Sequence, residues 1–304
     1  MTILKKLALV LSVLAVSSAA HARTKSPKSL DSVDCDNCKE WNQPAKPFNI
    51  YGNTWYVGVH GLSSVLITSP RGHILIDGAL PQSAALIEAN IKALGFRIED
   101  VKLIVNSHAH WDHAGGIAAL AKASGAVVAA SASGAASLKT GTHGADDPQY
   151  YANSSVHVPK VAKVKVVADG ETVQIGSTSI TAHMTPGHTP GSTSWSWTSC
   201  EEGRCMNLVY ADSLNPISRD GFVFTGKGKL PDISASFASS IAKVAALKCD
   251  IVVSAHPGLV DLLDKAAART PQHNPFIEAD GCRNYAATAS KLLDARLARE
   301  RGAR

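Results

Sequence analysis

Residues 101–116 read Val-Lys-Leu-Ile-Val-Asn-Ser-His-Ala-His-Trp-Asp-His-Ala-Gly-Gly. The apolar run at the start of this stretch predicts a buried strand. Four side chains that bind metals follow it within six positions: His108, His110, Asp112 and His113. Because residues i and i+2 of an extended segment project to the same side, His108 and His110 can hold one cation. Asp112 and His113, where the chain turns toward a helix, can hold a second cation.

Four ionisable groups this close together are costly unless a cation binds them, and so the cluster predicts a metal site. Imidazole with carboxylate and without thiolate suits Zn²⁺ and similar first-row ions. Two more histidines, His188 and His256, stand in glycine-containing turns after predicted strands, where a scaffold presents ligands to a cleft. Six isolated histidines are expected to be ordinary surface or core residues: His60, His73, His143, His157, His183 and His273.

Strand-like and helix-like runs continue through both halves of the chain. In the first half, strands are predicted at 55–60, 64–68, 73–77, 101–106 and 125–130, and helices at 83–94 and after 116. In the second half, strands are predicted at 161–167, 171–175, 179–185, 192–197, 206–211 and 251–254, and helices at 234–247 and 282–299. Two β-rich halves that each finish in helices predict an α/β fold, with two sheets packed face to face and helices outside.

Two stretches without periodicity, 140–159 and 221–229, are predicted to be loops. A structureless loop as long as the first is usually functional or disordered. The chain ends in the basic segment Arg296–Arg304, which we interpret as the solvated end of a helix and not as a nucleic-acid-binding arm.

The composition is that of a packed globular protein, with 45% hydrophobic and 18% charged residues among 304. This excludes intrinsic disorder, collagen-like repeats and coiled coils. The net charge is +5, but the basic residues are dispersed and do not alternate with aromatic residues, so no nucleic-acid partner is expected. A chain of this length buries enough surface to fold without a metal, and so a bound metal would serve chemistry.

The N terminus has the pattern of a secretory signal. Lys5 and Lys6 precede the apolar run 7–16, and Ala20-His-Ala22 provides a small-x-small cleavage site. As a helix, this run covers about half of a bilayer, which indicates export and not a membrane anchor. We therefore expect a cleaved signal peptide at 1–22, an extended mature N terminus at 23–47 and a single domain at 48–304. The mature protein is expected to be periplasmic, monomeric and without membrane contact.

Export changes the interpretation of the six cysteines, because an oxidising compartment favours disulfides. The pair Cys200–Cys205 flanks a turn-like insert, and the pair Cys249–Cys282 can close a longer loop. The pair Cys35–Cys38 is then left by elimination. Other pairings stay open, and the C-x-x-C spacing of the last pair also occurs in redox and zinc-binding motifs.

The stretch 107–116 resembles the signature of the metallo-β-lactamase superfamily, and Pro-Gly-His-Thr-Pro-Gly-Ser at 186–192 resembles its second landmark. The strand that ends Ile-Leu-Ile-Asp-Gly at 74–78 also fits, and the likeness runs from Trp41 to the C terminus. The resemblance implies a four-layer αβ/βα sandwich of two mixed β-sheets face to face with helices outside. It also implies that the metals bind at one edge, between the sheets.

Within this superfamily, the chain is most similar to the class B β-lactamases of subclass 3. That similarity implies two Zn²⁺ per chain, one bound by His108, His110 and His188 and the other by Asp112, His113 and His256. The other subclasses have a cysteine ligand where this chain has Ser213. The segments that begin at Trp41 and Ala211 are also similar to subclass 3, and so is the Cys249–Cys282 pair.

The activity that the resemblance implies is hydrolysis of the β-lactam amide of penicillins, cephalosporins and carbapenems by a metal-bound hydroxide. Two divalent ions would outweigh the one carboxylate ligand, so the cleft would attract the carboxylate of a β-lactam. Asp112 and Ser213 are the predicted catalytic residues. Ser213 is also expected to bind the substrate, with Asn215 and Gln149. The expected hydrogen-bond acceptors behind the metal-bound histidines are Asp77 and Asp212.

Two other activities on the same fold stay open. A thioesterase similar to glyoxalase II carries a metal-bridging aspartate near 211–213, and Asp212 lies next to Ser213. A lactonase for acyl-homoserine lactones is the second alternative. A non-catalytic metal-binding module is a third interpretation, which the complete set of ligands disfavours.

Overall fold

The computed structural model describes residues 32–151 and 157–302. The predicted signal peptide at 1–22 and residues 23–31 of the predicted mature N terminus lie outside the described residues. Within the part of the chain that is described, no helix combines the length and the apolar character that crossing a membrane requires.

The strands form two mixed sheets and a small ribbon. The first sheet contains seven strands in chain order: β1 (Phe48–Tyr51), β2 (Thr54–Tyr56), β3 (Val65–Ile67), β4 (His73–Ile76), β5 (Val101–Val105), β6 (Val127–Ala130) and β7 (Val164–Val166). The remaining strands are β8 (Thr172–Ile175), β9 (Thr178–Met184), β10 (Thr193–Glu201), β11 (Arg204–Ala211), β12 (Thr225–Lys227), β13 (Leu230–Asp232) and β14 (Ile251–Ser254). The second sheet has the order β14-β11-β10-β9-β8, and β12 pairs with β13.

The helices are short apart from α6 and α8. They are α1 (Cys38–Trp41), α2 (Ala84–Ala93), α3 (Trp111–Ala114), α4 (Ile117–Ser124), α5 (Ala132–Thr140), α6 (Ser234–Ala246), α7 (Leu262–Ala268) and α8 (Gly281–Gly302). Helix α4 ends at Gly125, whose φ of 71° is a left-handed conformation that glycine adopts without strain.

Alternating side chains explain the layered packing. In β4, Ile74 and Ile76 face the core between the two sheets, whereas Leu75 faces the outer helices. Leu75 packs in a second buried cluster with Ile87 of α2 and Leu120 of α4. Strands covered on both faces are apolar at consecutive positions. Helices α6 and α8 cover the second sheet, and so the molecule is the predicted αβ/βα sandwich.

The structure contains the three favoured disulfides, Cys35–Cys38, Cys200–Cys205 and Cys249–Cys282. The second closes the β10–β11 hairpin, and the third joins the segment before β14 to the start of α8. All six cysteines are therefore paired, and none is free to bind a metal.

Candidate metal centre

The predicted metal ligands converge because several strands end at the same edge of the sandwich. Strand β5 runs parallel to β4, and β14 runs parallel to β11, so the carboxyl ends of each pair lie together. His108 and His110 follow β5, and His188 lies in the turn between β9 and β10. His256 follows β14 by two residues.

His108, His110 and His188 form the first group. Each offers a ring nitrogen within 4.8 Å of the others, and all three are buried. The ring centroids of His108 and His110 are 4.7 Å apart, and those of His110 and His188 are 5.0 Å apart. Three imidazoles at this spacing can bind one cation.

Asp112, His113 and His256 form the second group. The Nε2 atom of His113 lies 3.3 Å from Asp112 Oδ2 and 3.3 Å from His256 Nε2. The Nε2 atom of His256 is 3.5 Å from the same Asp112 oxygen. His108 also lies against this group, so the two groups are adjacent in one cluster.

Hydrogen bonds behind the rings orient three of these histidines. The Nδ1 atom of His108 lies 2.6 Å from Asp212 Oδ1, as the sequence predicted for Asp212. His188 Nδ1 contacts the backbone oxygen of Asn215 at 2.9 Å, and His256 Nδ1 contacts that of Gly61 at 3.1 Å. Each Nδ1–H donates to an oxygen, which leaves Nε2 to face the site.

Asp77 organises the strand ends beneath the site. Its buried carboxylate accepts hydrogen bonds from Asn106 Nδ2, from the backbone nitrogen and hydroxyl of Ser107, and from the Tyr210 hydroxyl. Its distance to His113 Nδ1 is 3.9 Å, too long for the hydrogen bond that the sequence predicted. Asp77 therefore acts on the site mainly through the backbone before His108.

The polar atoms of the cluster fit a cation. His108 Nε2 is buried and has no hydrogen-bond partner among the described residues. The Nε2 atoms of His113 and His256 face each other, although His256 already donates through Nδ1. Two imidazole nitrogens approach in this way when a proton or a metal lies between them. The imidazole and carboxylate donors match those of zinc sites.

The ionisation of the histidines supports the same conclusion. Burial, together with the neighbouring His108 and His110, lowers the pKa of His188 to about 3. His188 is therefore neutral near pH 7, with a free electron pair. Burial also disfavours charge on His113, but the carboxylates of Asp112, Asp77 and Asp212 raise its pKa to about 9. The centre thus attracts positive charge.

A cleft of about 750 Å³ opens over the two groups. The three residues predicted to contact substrate, Gln149, Ser213 and Asn215, all line it. The Ser213 hydroxyl is buried and has no hydrogen-bond partner in the described part of the chain. The Gln149 amide nitrogen lies 3.3 Å from His188 Nε2.

The sequence did not predict several residues around the cleft. Asp147 contacts His110, and the His143 ring packs against the His110 ring with centroids 4.8 Å apart. Trp41 covers His256 at a centroid distance of 5.2 Å and also contacts Trp111. The long loop predicted at 140–159 was a signal for Asp147 and His143, but it did not single out either residue.

Comparisons with known proteins agree with this geometry. Residues 57–200 match the family model described as the metallo-β-lactamase superfamily. The solved structure of the Rm3 metallo-β-lactamase is 50% identical, with a TM-score of 0.85 over 88% of this chain and 100% of that chain. MEM-A1, a subclass B3 metallo-β-lactamase from a soil metagenome library, is 47% identical, with a TM-score of 0.83 over 87% of this chain and 100% of that chain.

A more distant structure shows the same fold and subclass. BJP-1, a subclass B3 metallo-β-lactamase of Bradyrhizobium japonicum, is 33% identical, with a TM-score of 0.80 over 88% of this chain and 99% of that chain. The chain therefore belongs to the metallo-β-lactamase superfamily, within its subclass B3.

Proposed function

We propose that this protein is a zinc-dependent β-lactamase that hydrolyses the β-lactam amide of penicillins, cephalosporins and carbapenems. It binds two Zn²⁺ per chain and acts as a periplasmic monomer after signal cleavage. The similarity to three metallo-β-lactamases along almost their whole length supports this proposal.

One observation carries the proposal: six imidazole and carboxylate side chains converge beneath a single open cleft. His108, His110 and His188 hold the first ion, and Asp112, His113 and His256 hold the second. When bound, the two ions supply a Lewis acid for the β-lactam carbonyl and a hydroxide nucleophile at neutral pH.

The side chains of the protein keep this centre in one geometry. Asp212 holds His108, and the backbone oxygens of Asn215 and Gly61 hold His188 and His256. These contacts keep the Nε2 electron pairs directed inward before a substrate arrives. A centre that is already organised loses little binding energy to rearrangement when a substrate binds.

Ser213 is the proposed contact for the substrate carboxylate. Its hydroxyl lies in the cleft wall next to Asp212 and has no hydrogen-bond partner among the described residues. Gln149 and Asn215 line the same cleft and can bind polar groups of the substrate. Asp112 contributes to catalysis as the one carboxylate in the six-ligand set.

The position of Asp212 favours a β-lactamase over a thioesterase similar to glyoxalase II. A metal-bridging aspartate must direct its carboxylate into the centre. Here Asp212 Oδ1 lies 2.6 Å from His108 Nδ1, on the side of the ring away from the site. The residue that lines the cleft at this point is Ser213.

Hydrolysis of nitrocefin, a chromogenic cephalosporin, tests the proposal. We expect rapid hydrolysis by the zinc-loaded protein, loss of activity with a chelator, and recovery when zinc is restored. Thioesters and acyl-homoserine lactones should be poor substrates. Turnover of thioesters or lactones without turnover of any β-lactam would reject the proposal.

A pair of histidine variants compares the loss of a histidine in the candidate centre with the loss of one elsewhere in the fold. His188→Ala should lower kcat at least about 100-fold, which corresponds to about 2.7 kcal/mol in the barrier. The control is His183→Gln, because His183 bonds to Ser196 on β10 and does not line the cleft. The control should retain full activity.

A further inference from the structure

His110 contacts the rest of the protein through a different ring nitrogen from the other oriented histidines. His108, His188 and His256 each donate through Nδ1. In His110, the atom that contacts the protein is Nε2, which lies 3.2 and 3.1 Å from the two carboxylate oxygens of Asp147. Nδ1 is therefore the nitrogen of His110 that remains for a metal.

We propose that Asp147 is a positioning residue for the first metal. Asp147 selects the Nδ1 face of His110 and couples this ligand to the loop that carries Gln149. The inference rests on the proposed two-metal centre and extends it to a residue outside the six ligands. Asp147 lies in the loop between α5 and β7, far from Asp77 and Asp212 along the chain.

Burial and charge give Asp147 this role. Its side chain is 5% exposed and that of His110 is 6% exposed, so water screens their contact weakly. A carboxylate that accepts the Nε2–H bond fixes the tautomer and makes Nδ1 a stronger donor to a metal.

The same carboxylate sets the shape of the loop. Asp147 Oδ1 accepts a hydrogen bond of 2.8 Å from the backbone nitrogen of Gln149. The Asp147 backbone oxygen accepts one from Tyr150, and Pro148 accepts one from Arg219. The position of Gln149, 3.3 Å from His188, therefore depends on the residue that also holds His110.

Asp147→Asn tests the inference, because it removes the charge without changing the size of the side chain. Asp146 provides the matched control: it is the adjacent residue, it carries the same charge, and it is exposed. We expect Asp147→Asn to weaken zinc binding at one of the two sites by about 10- to 100-fold. Asp146→Asn should bind both ions as the parent protein does. The measurement is zinc competition against a chromophoric chelator, starting from metal-free protein.

Nitrogen NMR of the histidine rings provides a readout that a purely structural role would not change. In the zinc-loaded parent protein, His110 should be protonated at Nε2, whereas His108, His188 and His256 should be protonated at Nδ1. In Asp147→Asn, the Nε2–H signal of His110 should shift or exchange. Asp147→Ala removes the acceptor completely and should weaken zinc binding further. If the alanine variant does not fold, the zinc affinity of Asp147→Asn alone decides whether Asp147 positions His110.

Zinc affinity of Asp147→Asn equal to that of the parent protein would overturn the inference. Equal weakening of both ions would also overturn it, as would protonation of His110 at Nδ1 in the loaded parent protein. These readouts do not depend on any substrate. A protein that failed to hydrolyse β-lactams but gave the expected zinc and NMR results would refute the proposed function and retain the role of Asp147.

Discussion

Ser213 and Asp212 are neighbours in the chain, yet their side chains have different roles. Asp212 is fully buried and bonds to the back of His108, whereas Ser213 lines the cleft with its hydroxyl unpartnered among the described residues. Both residues directly follow β11, which ends at Ala211. The sequence predicts both residues at the centre, and the structure gives their side chains different surroundings.

Ser213→Ala should raise KM for β-lactams about tenfold and change kcat little. A hydrogen bond to a charged group contributes about 1.5–3 kcal/mol, and a contact made equally in the ground and transition states affects binding alone. Steady-state kinetics with several β-lactams provides the measurement.

Ser63→Ala is the matched control for Ser213→Ala. The Ser63 hydroxyl is also buried and unpartnered in the described residues, but Ser63 does not line the cleft. The control should leave KM unchanged. Identical KM values for Ser213→Ala and the parent protein would contradict the proposed contact.

At the scale of elements, helix α8 makes buried contacts that the sequence did not predict. The segment Arg296–Arg304 was predicted to be a solvated helix end, but Glu300 is buried. Its carboxylate accepts bonds from the backbone nitrogens of Phe224 and Thr225, and from Arg296 at 2.7 Å. Arg296 also donates to Ser218 and Phe222. These hydrogen bonds hold the loop that carries Asn215 against α8.

Glu300→Ala should therefore destabilise the protein and loosen one wall of the cleft. It removes the acceptor of the buried Phe224 nitrogen and one of the acceptors of the Arg296 guanidinium, at a cost of about 3 kcal/mol. We expect a lower midpoint of urea unfolding and a higher KM for β-lactams. Equilibrium unfolding and steady-state kinetics check the two effects separately.

Asp294→Ala is the control on the same helix. Asp294 is exposed, and so its substitution should change stability by less than about 0.5 kcal/mol. A Glu300→Ala variant as stable as this control would show that the contacts between α8 and the loop are not stabilising.

Most of the elements were predictable from local pattern. The apolar runs of β4, β5 and β14 and the helical spacing of α2 and α6 match the structure to within a few residues. Helices α1, α3, α5 and α7 were not predicted, and neither were strands β1, β12 and β13. The prediction of a loop at 221–229 was wrong in part, because β12 lies within it and pairs with β13. Strand β1 mixes polar and apolar residues, and the small residues of α5 produce a weak apolar face. Both depend on packing against neighbours.

At the scale of the whole molecule, the candidate metal centre lies between the two sheets. His108 and His110 follow a strand of the first sheet, whereas His188 and His256 follow strands of the second. Ions bound by the proposed ligands would therefore stabilise the folded state, as any ligand of the folded state does. At a free zinc concentration 1,000 times Kd, one site contributes about 4 kcal/mol, or about 10 °C in Tm.

Removal of zinc should also make stability strongly dependent on pH. Burial lowers the pKa of five histidines: His73, His108, His143, His183 and His188. The values for His143 and His188 fall to about 4 and about 3, against about 6.5 in an unfolded chain. Between pH 6.5 and 4, unfolding takes up protons, and so the stability of the metal-free protein falls as pH falls.

Thermal unfolding of chelated protein at pH 7, 6 and 5 measures this effect. Burial raises the pKa of Asp77 to about 6 and also raises the pKa of Asp212. These two carboxyl groups have the opposite effect on the pH dependence of stability, but they are fewer than the five histidines. His143→Gln should reduce the decrease in Tm, whereas His273→Gln, at an exposed position, should not. A Tm that stays constant from pH 7 to pH 5 would be inconsistent with neutral buried histidines.

The chemistry of the centre was readable from the chain because three histidines and an aspartate lie within six positions after a buried strand. Metal preference follows from ligand type, and ligand type is a property of residues. The resemblance of the motif then implied the sandwich and the partner histidines. None of these conclusions depended on interatomic distances in the structure.

The arrangement around the ligands depended on contacts between distant segments. Asp147 lies 37 residues from His110, and Glu300 lies 76 residues from Phe224. Loops with weak local preferences take their shape from the surfaces against which they pack, and a single carboxylate in such a loop has no periodic pattern. Which nitrogen of each histidine faces the candidate metal centre was therefore determined by folding, since it depends on acceptors that the chain brings together from far apart.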